Sequence, residues 1–516
     1  MPPLSKDTIV AVIGAGAMGA GIAQVAASYG HQVKLFDKAE GAASRAIDSI
    51  GAGLGKLVSR GKLDNSEAEA ILSRLQPIEE LSQLADAGLV VEAIIENLDI
   101  KRSLFAELEQ LCAADTLLTS NTSSLSITSI AAGMQHPERF AGLHFFNPAP
   151  IMKLVEVISG LDTDRNVAET LYASASAWGK KPVHARSTPG FIVNRLARPF
   201  YAEGLRLLEE GAADTATIDA LLRDAGGFRM GPFELMDLIG HDVNYAVTCS
   251  VFDAYYGDQR FLPSLTQKAL VDGGRLGRKS GRGFYDYRAD AAQPQPQSLS
   301  IAGSTLAELP TLIVEGDLGV AAPLLTRLQQ TGIHIVRRQG LANQQGRLLL
   351  GDAVLALTDG RMASERAVTE ATANLVLFDL ALDYQQASRL AIAIADQADR
   401  RVLQPVTELF ALAGITLSQL DDAPGLAVMR TVAMLANEAA DAVMQQVCSA
   451  ADADIAMQFG VNYPCGPLAW AEAVGTQRIY QVLTHMQQAY GEDRYRPSRQ
   501  LKRMAVTGGH FHVNAA

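Results

Sequence analysis

The 516-residue sequence predicts two α/β regions, each followed by an all-α region. Three observations carry that prediction. A glycine-rich turn links a strand to a helix near the start. Strand–helix alternation gives way to purely helical periodicity after residue 186, and one helical segment occurs twice at a constant offset. A chain of this length exceeds a single hydrophobic core and divides into domains.

The first region spans residues 1–186. "TIVAVI" (residues 8–13) is a β-branched run without polar alternation, as in a strand buried on both faces. "GAGAMG" follows, with Gly14, Ala15, Gly16, Ala17, Met18 and Gly19 in the pattern G-x-G-x-x-G, and then an apolar helical stretch closes at Gly30. Strand before and helix after are the context that makes this pattern a dinucleotide-binding Rossmann loop. Gly14 makes the tight turn, Gly16 admits the pyrophosphate, and Gly19 permits close helix–sheet packing. "QVKLFD" is a second strand ending in Asp37, an acid placed to bond the adenosine ribose and to repel the phosphate of NADP, so NAD is the expected cofactor. "AGLVVEAI" and "DTLLTSN" are further strands with a helix between them, which predicts a parallel sheet covered on both faces.

Residues 187–288 carry helical patterns throughout, and residues 289–300, "ADAAQPQPQSLS", form a linker. Residues 301–415 repeat a strand–turn–helix–strand order, but the turn "VEGDLGVA" lacks nucleotide-binding glycine spacing. This is a degenerate Rossmann-like domain expected to bind no cofactor. Residues 416–516 are helical again. One gapless offset maps Gly190 on Gly425, Arg195 on Arg430, Glu203 on Glu438, Asp219 on Asp454 and Gly231-Pro232 on Gly466-Pro467, so the helical domain is duplicated. The fold class is therefore an α/β Rossmann domain, an all-α domain, a degenerate Rossmann-like α/β domain and a second copy of the all-α domain. The two helical copies are expected to pack together as an internal pseudo-dimer, with a homodimer of whole chains still open.

A formal charge of −12 argues against nucleic-acid and anionic-membrane partners. The four cysteines (Cys112, Cys249, Cys448, Cys465) form no C-x-x-C pair, so neither a metal site nor disulfides are expected. The N-terminus lacks a basic n-region, no run of about 18 apolar residues occurs, and a cytoplasmic enzyme is expected.

"GLHFFNPAPIMKLVEVI" (residues 142–158) places His144 and Glu156 on neighbouring extended segments. Glu156 interrupts an apolar strand, where an unpaired carboxylate is costly. A carboxylate on one imidazole nitrogen fixes the tautomer, and alcohol oxidation needs such a base for the hydroxyl proton. "SNTSSLSI" (residues 120–127) follows a strand, so its hydroxyls emerge at the carboxyl end of the sheet. Asn194 is expected early in a helix opened by Pro189.

The motifs "GAGAMGAGIAQVAA", "VVEAIIENLDIK", "SNTSSL", "FAGLHFFNPAPIMKLVEVI", "TPGFIVNR" and "GPFELMDLIG" resemble the L-3-hydroxyacyl-CoA dehydrogenase family over about the first 290 residues. The whole layout is similar to its longer bacterial branch, which includes 3-hydroxybutyryl-CoA dehydrogenases and the 3-hydroxyadipyl-CoA dehydrogenase of phenylacetate catabolism. The resemblance implies oxidation of an (S)-3-hydroxyacyl-CoA to the 3-oxoacyl-CoA, with His144 as base, Glu156 orienting it, and Ser123 and Asn194 holding substrate oxygens. For NAD it implies residues 14–19, Asp37, Glu92, Glu96, Lys101, Ser123 and Asn147, with Lys279 near the nicotinamide end. Lys56 and Arg60 are candidates for the CoA phosphates, and Gly53 stands where the family has a CoA-contacting serine. Two alternatives remain: a dehydrogenase of a free sugar acid such as L-gulonate, and a non-catalytic NAD-binding protein. In the second copy Met429 replaces Asn194, so a single active site is expected.

Overall fold

A computed structural model describes residues 1–300, 311–340 and 345–512. The chain forms two compact units, residues 1–195 with 445–461, and residues 196–444 with 462–516. Residues 301–310 and 341–344 of the degenerate α/β region and residues 513–516 lie outside the described residues. No described helix is long and apolar enough to cross a membrane.

The first unit holds an eight-stranded sheet of β1 (Val10–Ile13), β2 (Val33–Phe36), β3 (Leu75–Ile78), β4 (Leu89–Glu92), β5 (Leu117–Ser120), β6 (Phe140–Phe145), β7 (Leu154–Ser159) and β8 (Lys181–Arg186). The spatial order is β3-β2-β1-β4-β5-β6-β7-β8, so the connections reverse direction between β1 and β4, where such sheets bind ligands. Its central strands are completely buried, as the unbroken apolar runs require.

The sheet is not parallel throughout. β6 and β7 are antiparallel, with His144 directly opposite Glu156. The short link between them has no room for a crossover helix, and only an antiparallel neighbour can be reached that way. A second expectation is also corrected. Pro189 does not open a helix: Gly190 (φ +74) and Phe191 (φ +46) form a left-handed turn, and the helix begins at Val193. The second copy has the same turn, with Gly425 at φ +77 and Leu426 at φ +54. A bulky residue at positive φ is strained and persists only where its surroundings enforce it.

The second unit contains a seven-stranded mixed sheet of β9 (Leu312–Glu315), β10 (Ile335–Arg338), β11 (Arg347–Leu350), β12 (Ala353–Leu357), β13 (Leu375–Phe378), β14 (Arg389–Ile394) and β15 (Thr416–Gln419). Its order is β10-β9-β11-β12-β13-β14-β15. β9 and β10 pair in parallel, Glu315 opposite Arg338, as Ile13 lies opposite Phe36 in the first sheet. At the turn after β9, buried Leu318 stands where the first sheet has Gly16, and Asp317 bonds the Gly319 N–H at 2.8 Å. A carboxylate and a leucine thus occupy the place of the phosphate cradle.

In the same unit the two helical copies pack through Arg198–Glu209 and Val428–Met444. Arg430, fully buried, bonds Glu203 at 2.6 Å, Glu210 at 2.9 Å and the Tyr495 hydroxyl at 2.7 Å. Arg260 pairs with Glu438 and Asp441.

Candidate active site

The sheet's carboxyl edge assembles a cradle from four successive strand ends. After β1, Gly14 sits at φ +102, and a Cβ there would meet the Ala93 carbonyl oxygen at 2.5 Å. A Cβ on Gly19 would lie 1.8 Å from the Gly14 oxygen, so the helix Ala17–Ser28 approaches the turn as only glycine permits. Gly16, by contrast, faces open space, and the helix has no side-chain cap. Its N-terminal N–H groups and positive potential therefore face a place that a pyrophosphate fits. After β2, Asp37 accepts the Ala15 N–H at 2.7 Å and the Ala39 N–H at 2.9 Å, which ties this acid to the loop.

Glu92 ends β4 fully buried, and Lys101 pairs with it at 2.5 Å from the helix Leu98–Leu111. Its other oxygen accepts the Ser120 hydroxyl at 2.6 Å. Glu96 in turn accepts the Thr122 hydroxyl at 2.8 Å and the Ser123 N–H at 2.8 Å, and its distance to Lys101 is 3.5 Å. One lysine thus bridges two carboxylates and offsets one of their charges, and the whole set fixes the loop that presents Ser123.

On the hairpin, His144 Nδ1 lies 2.7 Å from Glu156 Oε2. The other Glu156 oxygen accepts the Ile192 and Val193 N–H groups at 3.1 and 3.0 Å. The carboxylate is therefore clamped on one side by backbone and on the other by the imidazole. With Glu156 ionised, Nδ1 carries the proton, and Nε2 keeps its lone pair for a substrate proton. Phe146 and Phe191 flank the ring, with centroids 4.5 and 6.0 Å away. Asn194 is half-buried in the helix turn that begins at Val193, so the backbone bond to Glu156 also places the amide.

A second buried His–carboxylate pair shows what distinguishes this one. His241 bonds Asp237 at 2.7 Å, but Gln267 contacts its other ring nitrogen, and Asp237 also takes the Phe284 and Tyr285 N–H groups. Both imidazole nitrogens are used, and the pair braces the chain. Among the described residues, Nε2 of His144 has no such partner.

The constant offset extends backward from the helical domain into the second sheet. There Asp379 takes the place of His144 and Ala391 that of Glu156, joined by an Asp379 N–H to Ala391 carbonyl bond of 3.0 Å. Asp379 accepts the N–H groups of Ala427, Val428 and Met429 at 2.7–3.0 Å. It performs the clamping that Glu156 performs in the first copy, with no base beside it. Burial lifts its carboxyl to about 6.

Three models of known families match four stretches: the 3-hydroxyacyl-CoA dehydrogenase NAD binding domain over residues 9–188, the C-terminal domain of that family over residues 190–287 and again over 425–512, and the 3-hydroxybutyryl-CoA dehydrogenase reduced Rossmann-fold domain over residues 355–424. The chain is 47% identical to the 3-hydroxyadipyl-CoA dehydrogenase of Escherichia coli (strain K12), over 96% of this chain and 97% of that one. The chain belongs to the 3-hydroxyacyl-CoA dehydrogenase family. A crystal structure of 3-hydroxybutyryl-CoA dehydrogenase from Escherichia coli K12 is 46% identical and superposes with a TM-score of 0.87, covering 98% of this chain and 99% of that one. The human mitochondrial hydroxyacyl-coenzyme A dehydrogenase is 42% identical over 54% of this chain and 91% of its own length.

As a 3-hydroxyacyl-CoA dehydrogenase the chain is an oxidoreductase with NAD as cofactor, and the open cradle beside Gly16 fits that cofactor. Asn147 lies exposed at the cis peptide before Pro148. Lys56 and Arg60 are exposed at the end of the helix Ala42–Ser59, and Gly53 on that helix has open space where a side chain would stand. Lys279 belongs to the other compact unit, where it pairs with Asp242 at 2.5 Å. Two residues escaped the sequence reading. Asn121 accepts the Phe145 N–H at 2.8 Å and so holds the strand end next to His144. Lys180 donates to the carbonyls of Ala149 and Met152 and pins the "NPAPIM" loop; burial lowers its ammonium to about 8. Asn121 lies within "SNTSSL", where it could have been singled out, whereas no local pattern ties Lys180 to a loop far earlier in the sequence.

Proposed function

We propose that the chain oxidises (S)-3-hydroxyacyl-CoA to 3-oxoacyl-CoA, with His144 as the general base. The observation that carries this is the imidazole held at Nδ1 by a carboxylate that is itself clamped by two backbone N–H groups. His144 Nε2 takes the hydroxyl proton, and Glu156 stabilises the imidazolium that results. Held in the Gly14–Gly19 cradle, NAD would supply the acceptor for the C3 hydride. Ser123 and Asn194 hold the substrate oxygens, while Asp37, Glu92, Glu96, Lys101 and Asn147 with the Gly14–Gly19 loop bind the cofactor. Lys56 and Arg60 meet the CoA phosphates, and Lys279 serves the nicotinamide end. The intact dyad disfavours the non-catalytic reading.

The acyl group is 3-hydroxyadipyl or 3-hydroxybutyryl, the substrates named by the two full-length relatives, and the enzyme acts in the cytoplasm. Steady-state kcat/KM with 3-hydroxyadipyl-CoA, 3-hydroxybutyryl-CoA and L-gulonate tests the reading. Turnover of either thioester well above L-gulonate is expected. Oxidation of L-gulonate with neither thioester turned over would overturn it.

A further inference from the structure

The catalytic unit contains a segment that the chain order assigns to the second helical copy. Residues 445–461 lie in the same compact unit as residues 1–195, and the helix Ala450–Gly460 packs on β7 and β8. The strip is anchored by the Arg186 N–H, which donates to the Val447 carbonyl at 2.8 Å. At the far end of the helix, a Cβ on Gly460 would meet Leu154 at 2.6 Å and Val193 at 2.9 Å. Val193 supplies one of the N–H groups that clamp Glu156. At the near end, Gln445 accepts from the Arg195 guanidinium at 2.8 Å, and Arg195 follows Val193 and Asn194 in one short helix.

The duplication supplies an internal control. The offset that maps Gly190 on Gly425 maps Ala225 on Gly460 and Glu210 on Gln445. The counterpart helix Thr215–Asp224 packs on β14 of the second sheet, where Asp224 pairs with Arg389 at 3.4 Å and the Ala225 carbonyl accepts the Leu382 N–H. A methyl group is thus accommodated where the sheet carries Asp379 and no dyad. Glycine stands only where the helix presses against the residue that holds Glu156.

We propose that Gly460 and Gln445 of the second helical copy are positioning residues for the His144–Glu156 dyad, acting through Val193 and Arg195. The proposal rests on the dyad being the acid–base pair of the reaction. A side chain at 460 displaces Val193, lengthens its N–H bond to Glu156 and turns the carboxylate away from His144. Around this seam Cys448, Arg195, Asp452 and Asp454 are the neighbouring titratable groups. The Cys448 thiol is pushed up to about 12 by burial, so it stays neutral through the working range.

The experiment measures kcat, KM for NAD and the pH profile of kcat/KM for Gly460→Ala, Gly460→Val and Gln445→Ala in the full chain. Gly460→Val is expected to lower kcat about tenfold to a hundredfold. The basic group in its pH profile should shift while the KM for NAD stays unchanged. Gly460→Ala should fall between it and the wild type, and Gln445→Ala, at an exposed position, should show a smaller loss of the same kind. If Gly460→Val does not fold, the other two variants decide. Wild-type kcat and an unshifted pH profile in the folded variants would overturn the proposal, whereas loss of dyad function in His144→Gln without these effects leaves the functional reading standing alone.

Discussion

His144 and Asp379 occupy the same place in two strand pairs, and their surroundings explain why one pair presents an oriented imidazole and the other presents none. Glu156 divides its two oxygens between a base and a helix turn, whereas Asp379 spends both on backbone N–H groups. Asp379 therefore has a measurable signature. Its folded-state pKa of about 6 lies above the ordinary 3.8, because burial disfavours the charge. The folded state binds the proton more tightly, so this group's contribution to stability is present at low pH and is lost as pH rises from about 4 to about 6. Urea unfolding of wild type and Asp379→Asn should show their stability difference shifting against the wild type by on the order of 1–3 kcal/mol across that window. A pH-independent difference would contradict the burial argument. Sequence reading found Glu156 because a charge in an apolar strand is conspicuous. Asp379 is just as conspicuous in "LVLFDLAL", but it becomes legible only when the repeat is carried back beyond Gly425 into the sheet.

Among elements, the Pro-Gly turns show where pattern and geometry part. Proline followed by an apolar helical stretch reads as a helix start, yet in both copies a left-handed turn intervenes, and the helix begins late enough for its first N–H groups to meet a carboxylate. Nothing in composition distinguishes those cases, because the deciding contact comes from a strand far away in sequence. Strand direction in the hairpin was legible in a different way, from the shortness of the connection between the two extended segments and not from residue pattern. The duplicated helices were legible because a gapless repeat preserves polar residues inside an apolar frame. Arg430 is the element-level consequence: it lies fully buried between the copies with Glu203, Glu210 and two tyrosines. Arg430→Ala would strip Glu203 of its closest cation, leaving only the Tyr495 hydroxyl at 3.0 Å and Arg206 at 3.7 Å, and should cost about 3–5 kcal/mol in denaturant unfolding. A loss below about 1 kcal/mol, the range of exposed pairs, would mean that the network contributes no more than a surface one.

For the molecule as a whole, the two copies divide the work. One α/β region keeps the glycine cradle, the carboxylate–lysine cluster and the dyad. The other places Leu318 and Asp317 in the turn and Asp379 in the hairpin, and keeps its helices as packing partners. The central claim is that a single dyad performs the oxidation. The turnover of (S)-3-hydroxyacyl-CoA by the full chain carrying His144→Gln tests it most directly, with NADH binding measured alongside. The account predicts that kcat falls by about a hundredfold or more while NADH still binds as in the wild type. A variant that retains about half of the wild-type rate, the share left by one of two equal sites, or that turns over normally, would contradict it.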